Sequence, residues 1–154
     1  MADFHPVYTL IASVPIALFT SWVTVRLSLR KFQSEKWFER KIDAYTKIIE
    51  SLHHMKTVTA RQLRAERRGA DIPEEVEREL IESYRSNLAE LRRLADMGSL
   101  VFSTDAIGTL ETFSRELESA TPDGGWWEYY DVQSAAVNNC LESIRKIAKR
   151  DLNA

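Results

Sequence analysis

Between Val7 and Val25 the chain reads VYTLIASVPIALFTSWVTV, nineteen residues without a charge, and Arg26, Arg30 and Lys31 follow directly. A helix rises about 1.5 Å per residue, so this run matches the ~30 Å hydrocarbon core of a bilayer. It predicts one N-terminal transmembrane helix. Nine Leu, Ile, Val and Phe residues at ~0.3–0.6 kcal/mol each favour insertion by ~3–5 kcal/mol, and the hydroxyl residues and Pro15 reduce that margin. A cleaved signal peptide fits less well, because MADFHP carries no Lys or Arg and no clean small-residue cleavage site precedes VTVRLSLRKF.

Basic residues lie on the C-terminal side of the run and Asp3 lies before it. The positive-inside rule then places the N-terminus outside and the rest in the cytoplasm. Arg26, Arg30, Lys31 and Trp37 form an interfacial collar, with aromatics at headgroup level and cations toward anionic lipid. Within the run, Thr9, Ser13, Thr20 and Thr24 are spaced so that they project within about 60° of one another on a helix. A hydroxyl stripe in lipid is best placed against a second helix or against water, which predicts packing between copies or the lining of a pore. The alternative is that these hydroxyls bond back to their own helix carbonyls.

Beyond the span, no Gly or Pro interrupts the chain between Val25 and Arg68. Phe38, Ile42, Tyr45, Ile49, Leu52, Met55 and Thr59 recur at steps of three and four, the spacing of a bundle seam. One helix running from Val7 to Arg68 would be ~90 Å long. Gly69 ends it. Asp71-Ile72-Pro73-Glu74-Glu75 predicts the next helix start, with Asp71 as the capping side chain, and Val76, Leu80, Tyr84, Leu88, Leu91 and Ala95 form its apolar face. Gly98 reads as its C-terminal cap. Ser103 or Thr104 starts a third helix with the face Ile107, Leu110, Phe113 and Leu117. After the break at residues 121–125, Trp127, Tyr130, Val137, Leu141, Ile144 and Ile147 mark a fourth. The expected architecture is all-α: an anchor in residues 1–30 continuing into a cytoplasmic four-helix bundle over residues 31–154.

Candidate chemistry is sparse. The single cysteine, Cys140, excludes an intramolecular disulfide and reads as a buried inert thiol. His53 and His54 are neighbours about 100° apart on a helix and cannot face one ligand together. No phosphate loop, nucleophile elbow or zinc spacing is present. No catalytic residue, metal or cofactor is therefore expected, and the chain reads as a non-enzyme. A net charge of −2 gives no bulk signal for nucleic acid. Two surface features remain as a partner patch: the arginines Arg61, Arg64, Arg67 and Arg68, and the aromatic cluster of Trp126, Trp127 and Tyr130.

The span, the basic linker RLSLRKFQSEKWFERK and the helical region from Ile42 onward resemble, in layout, small single-pass bacterial membrane proteins with a cytoplasmic helical bundle. The chain is similar in this respect to the membrane accessory proteins of type VI-B CRISPR systems. That resemblance implies a HEPN-like bundle, homo-oligomerisation and a membrane-perturbing or pore-forming effector role in antiviral defence. HEPN ribonucleases place a His a few residues after an Arg. Here the arginine nearest before His53 and His54 is Arg40, so a membrane-anchored ribonuclease is the least favoured reading. The other reading is a tethered scaffold that recruits a cytoplasmic protein.

Overall fold

The computed structural model describes the backbone of residues 5–98, 101–122 and 125–153; within residues 5–34 it describes the side chains only at 22, 24–26, 28 and 32. The described residues are all-α, with four α-helices and no strand: α1 His5–Arg68, α2 Glu74–Met97, α3 Thr104–Ser119 and α4 Trp126–Asn153. Two compact units, Met1–Glu39 and Arg40–Ala154, divide the chain, and α1 contributes to both. Residues 31–39, which the sequence reading groups with the bundle, fall in the first unit. Among the described residues no helix is long and apolar enough to cross a membrane. The side chains of residues 7–21, which carry most of the expected span, lie outside the described residues.

The second unit is a helical bundle. Lys41 and Tyr45 meet Asp151, while Arg67 meets Asp131, so the α1 segment and α4 run antiparallel. Arg150 of α4 reaches Asp105 at the start of α3, and α3 also packs on α2. The core is built from Tyr45, Ile48, Leu52 and Met55 of α1, Leu91 and Leu94 of α2, Leu110 and Phe113 of α3, and Val137, Leu141 and Ile144 of α4. The α1 seam is shifted from the sequence reading. Ile48 is fully buried and Ile49 only partly, whereas Phe38 and Ile42 are exposed. The buried progression Tyr45, Ile48, Leu52, Met55, Thr59, Gln62 keeps steps of three and four.

The helix ends follow local chemistry, with two departures. Gly69 takes φ +56, its N–H donates to the Glu66 carbonyl, and the Ala70 N–H donates to that of Ala65. This is the paired arrangement by which a left-handed residue closes the last turn. At α2, Asp71 does not cap. Pro73 occupies the N-cap with extended backbone, and Glu74, Glu75 and Glu77 sit in the first turn, against the positive end of the helix dipole. Gly98 ends α2 as expected, but in a right-handed conformation (φ −76).

Gly98 is needed for space. A Cβ there would lie 2.7 Å from Cε2 of Phe102 and closer still to Cδ2. Phe102 is buried and its ring meets Tyr45 edge-on at 5.0 Å. Gly98→Ala is therefore expected to destabilise the bundle by about 1–3 kcal/mol, as overpacking does, despite alanine's better helix propensity. Thermal unfolding followed by circular dichroism checks this, and an unchanged midpoint would show that Phe102 has room to move.

Candidate functional site

The C-terminal turns of the α1 segment, the first half of α2 and the first two turns of α4 meet at one corner of the bundle, and this corner holds four of the seven expected patch residues: Arg67, Trp126, Trp127 and Tyr130. The guanidinium carbon of Arg67 lies 6.0 Å from the centre of the Trp127 ring, and one of its terminal nitrogens lies 3.8 Å from a carboxylate oxygen of Asp131. The fold thus joins an arginine of α1 to an aromatic of α4 across roughly sixty residues of sequence. Trp127 is exposed, although the sequence also groups it with the apolar spacing of α4. Trp126 is exposed too. It stacks on Tyr130 at 5.9 Å with the planes 27° apart, and meets Tyr129 edge-on at 5.8 Å.

Arg61, Arg64 and Arg68 are separate from this aromatic group. They line a cavity of about 300 Å³ with Ala70, Asp71 and Pro73, and Arg64 donates to the carbonyl of Ala60. The fold therefore divides the arginine cluster: one member faces the aromatics, and three form a solvated face.

Beneath Trp126 and Tyr130 lies a second cavity of about 300 Å³, bounded by Gln62, Ile81, Tyr84, Arg85, Leu88 and Gln133 among others. Gln62 and Gln133 are each only 7% exposed. The Tyr84 hydroxyl is fully shielded and has no hydrogen-bond partner. Burial, then the neighbouring Tyr129, push its pKa well above the ordinary tyrosine range. Tyr130 is raised by burial and by the charges of Glu77 and Glu66, with Tyr129 adding to the effect. The sequence reading missed Gln62, Tyr84 and Gln133 as a group. The signal was present in part: Gln62 continues the α1 seam after Thr59, and Gln133 falls in the seven-residue gap between Tyr130 and Val137.

The remaining expectations are distributed as follows. Arg26 lies over the Trp22 ring at 5.0 Å, and Lys36 over Phe32 at 5.8 Å while also bonding Glu39. Trp22, Val25, Phe32 and Trp37 are exposed. Thr24 is exposed as well. The side chains of Thr9, Ser13, Thr20, Arg30 and Lys31 lie outside the described residues. His53 and His54 are exposed, and no group of three metal-ligating side chains occurs among the described residues. Cys140 is buried, and burial, with a smaller push from Glu116, raises its thiol to about 12. A thiol so held is not a nucleophile at neutral pH.

A polar cluster at the opposite end of the bundle was not anticipated. Tyr45 donates its hydroxyl to the carboxylate of Asp151, Lys41 donates to the Asp151 carbonyl at 3.0 Å, and Arg150 reaches both Asp151 and Asp105. Burial works against the Asp151 charge, but donors from Ser103, Tyr45 and Arg150, with the charge of Lys41, outweigh it and hold the pKa below the usual carboxylate range. Through Lys41 and Tyr45 it clamps the start of the bundle segment of α1 onto the end of α4. No protein-family model, curated protein sequence or solved structure matches this chain.

Proposed function

We propose that the chain is a homo-oligomeric, single-pass inner-membrane protein whose cytoplasmic, HEPN-like bundle acts by binding a partner protein and not by catalysis. The observation that carries this reading is the uncharged run Val7–Val25 followed by cations and exposed aromatics. Trp22, Arg26, Phe32, Lys36 and Trp37 fall within one face of about 140° at 100° per residue. Cations seated over aromatic rings on such a face suit a headgroup layer, where the ring takes the apolar boundary and the charge meets phosphate. The juxtaposed Arg67 and Trp127 supply the residue types that most often anchor protein interfaces.

A second reading, a pore-forming effector of antiviral defence, is favoured by the hydroxyl stripe of Thr9, Ser13, Thr20 and Thr24. One set of measurements separates the two. The full chain made in bacteria is expected in the membrane fraction, resistant to high salt, and Leu18→Arg is expected to shift it toward the soluble fraction, because a central arginine costs about 2.5–3.5 kcal/mol of insertion. Recovery of the parent chain as a monomer in detergent-free supernatant would overturn the anchor. In liposomes, conductance that disappears when the four hydroxyl residues become Leu supports the pore; absence of conductance from an inserted oligomer leaves the scaffold.

A further inference from the structure

The cavity beneath Trp126 has a combination of features that packing alone does not require. Among the polar side chains that border it, Gln62, Gln133 and Tyr84 are withdrawn from solvent. The two glutamines are 7% exposed, and the Tyr84 hydroxyl is sealed from solvent without a partner. Buried polar groups are ordinarily hydrogen-bonded, and a group left unmade is destabilising. Each carboxamide offers an acceptor and two donors, and the phenol offers one of each. The wall beside them is aromatic, with Trp126 stacked on Tyr130 and 56% exposed, so indole surface remains open to a further ring. At about 300 Å³ the space is at the small end of ligand pockets.

We propose that this cavity binds the planar heteroaromatic ring of a nucleobase, stacked on Trp126 and read at its edge by Gln62, Gln133 and Tyr84. A carboxamide pairs in bidentate fashion with a ring edge that presents an acceptor beside a donor, as adenine does. Aromatic side chains stack on every base because each has a π-face. The charge distribution selects a neutral ring over a free anion. Among the described residues Arg85 is the one cation bordering the cavity, while Glu77 and Glu66 act on Tyr130. The site belongs to the bundle and stands independently of the membrane reading.

Isothermal titration of the full chain in detergent with adenosine, guanosine, cytidine and uridine tests this, with inorganic phosphate as the control. Saturable binding of at least one nucleoside is expected, with no competition from phosphate. Trp126→Ala is expected to weaken it about tenfold or more by removing the stacking surface. Gln133→Leu is expected to do the same by leaving the ligand's edge unpaired, and Tyr84→Phe, which keeps the ring and its packing, to weaken it less. Circular dichroism confirms that each variant is folded, and Tyr84→Phe serves where a larger change unfolds the bundle. The proposal is overturned if the folded parent binds none of the four nucleosides. It is also overturned if phosphate competes equally, or if folded Trp126→Ala and Gln133→Leu bind as the parent does.

Discussion

Between about pH 9 and pH 12 the bundle is expected to lose on the order of 5 kcal/mol of stability and unfold cooperatively. Burial, and the hydrogen bond and charge of Asp151, push Tyr45 up from 10.0 to about 12. Burial, with a lesser push from Glu116, raises Cys140 from 9.0 to about 12. Both side chains are almost wholly enclosed, at 1% and 4% exposure, so solvent screening discounts little. In each case the folded state holds a proton that the unfolded chain releases. Their contribution is complete below the ordinary thiol and phenol values and is lost as pH rises through the folded values. At ~1.36 kcal/mol per pH unit, two such groups approach the total stability of an ordinary domain. Tyr84, raised by burial and by Tyr129, acts in the same direction. The share of tyrosinate absorbance that belongs to Tyr45 and Tyr84, two of the five tyrosines, should therefore appear together with the loss of helical signal. Ionisation of all five tyrosines near pH 10 with helicity intact would show that these side chains are not enclosed.

Leu52→Ala is expected to cost about 2–5 kcal/mol, while Ile42→Ala, ten residues earlier on the same helix, should change stability by no more than about 0.5 kcal/mol. Leu52 is fully buried at the centre of the α1 seam; Ile42 is 40% exposed. Removing three carbon atoms from a close-packed site leaves a cavity that its neighbours only partly fill, whereas the exposed site returns little surface to water. Leu52→Met, which conserves volume, should cost less than about 1.5 kcal/mol. Denaturant unfolding of all three variants ranks them. Equal losses at positions 42 and 52 would restore the seam expected from periodicity.

The two seams differ by a small rotation, and the difference shows how far periodicity reaches. Ile48 and Ile49 are chemically identical and adjacent, so a three-four pattern can include either one. Which of them is buried depends on where α4 and α2 press against α1, and that is a tertiary fact. Phe38 and Ile42 continue the apolar spacing yet are exposed, so spacing alone does not mark where burial begins. Trp127 departs for a similar reason: it lies in the first turn of α4, where Arg67 and not the core meets its ring. Asp71 illustrates a local competition. Pro73, with its φ already helix-compatible and no N–H to satisfy, takes the N-cap position two residues after the expected side chain.

The candidate corner was legible only in pieces. Arg67, Trp126, Trp127 and Tyr130 could be named from charge and aromatic density, because such clusters are rare in a helical core. The buried amides of Gln62 and Gln133 could not be grouped with Tyr84. They come from three helices, and no spacing within one strand of sequence connects them.

Helical periodicity, two punctuating glycines and the scarcity of β-branched alternation determined by themselves that the described residues are all-α, where α1 and α2 end, and that Cys140 is an interior thiol. These are local properties, decided by backbone sterics and by the 3.6-residue repeat. Only the tertiary structure decided which of two neighbouring isoleucines is enclosed, that Gly98 yields space to Phe102, that Asp151 clamps Tyr45, and that Arg67 meets Trp127. Those outcomes depend on how separate helices approach one another, and contact across many residues of chain leaves no periodic trace in the residues that make it.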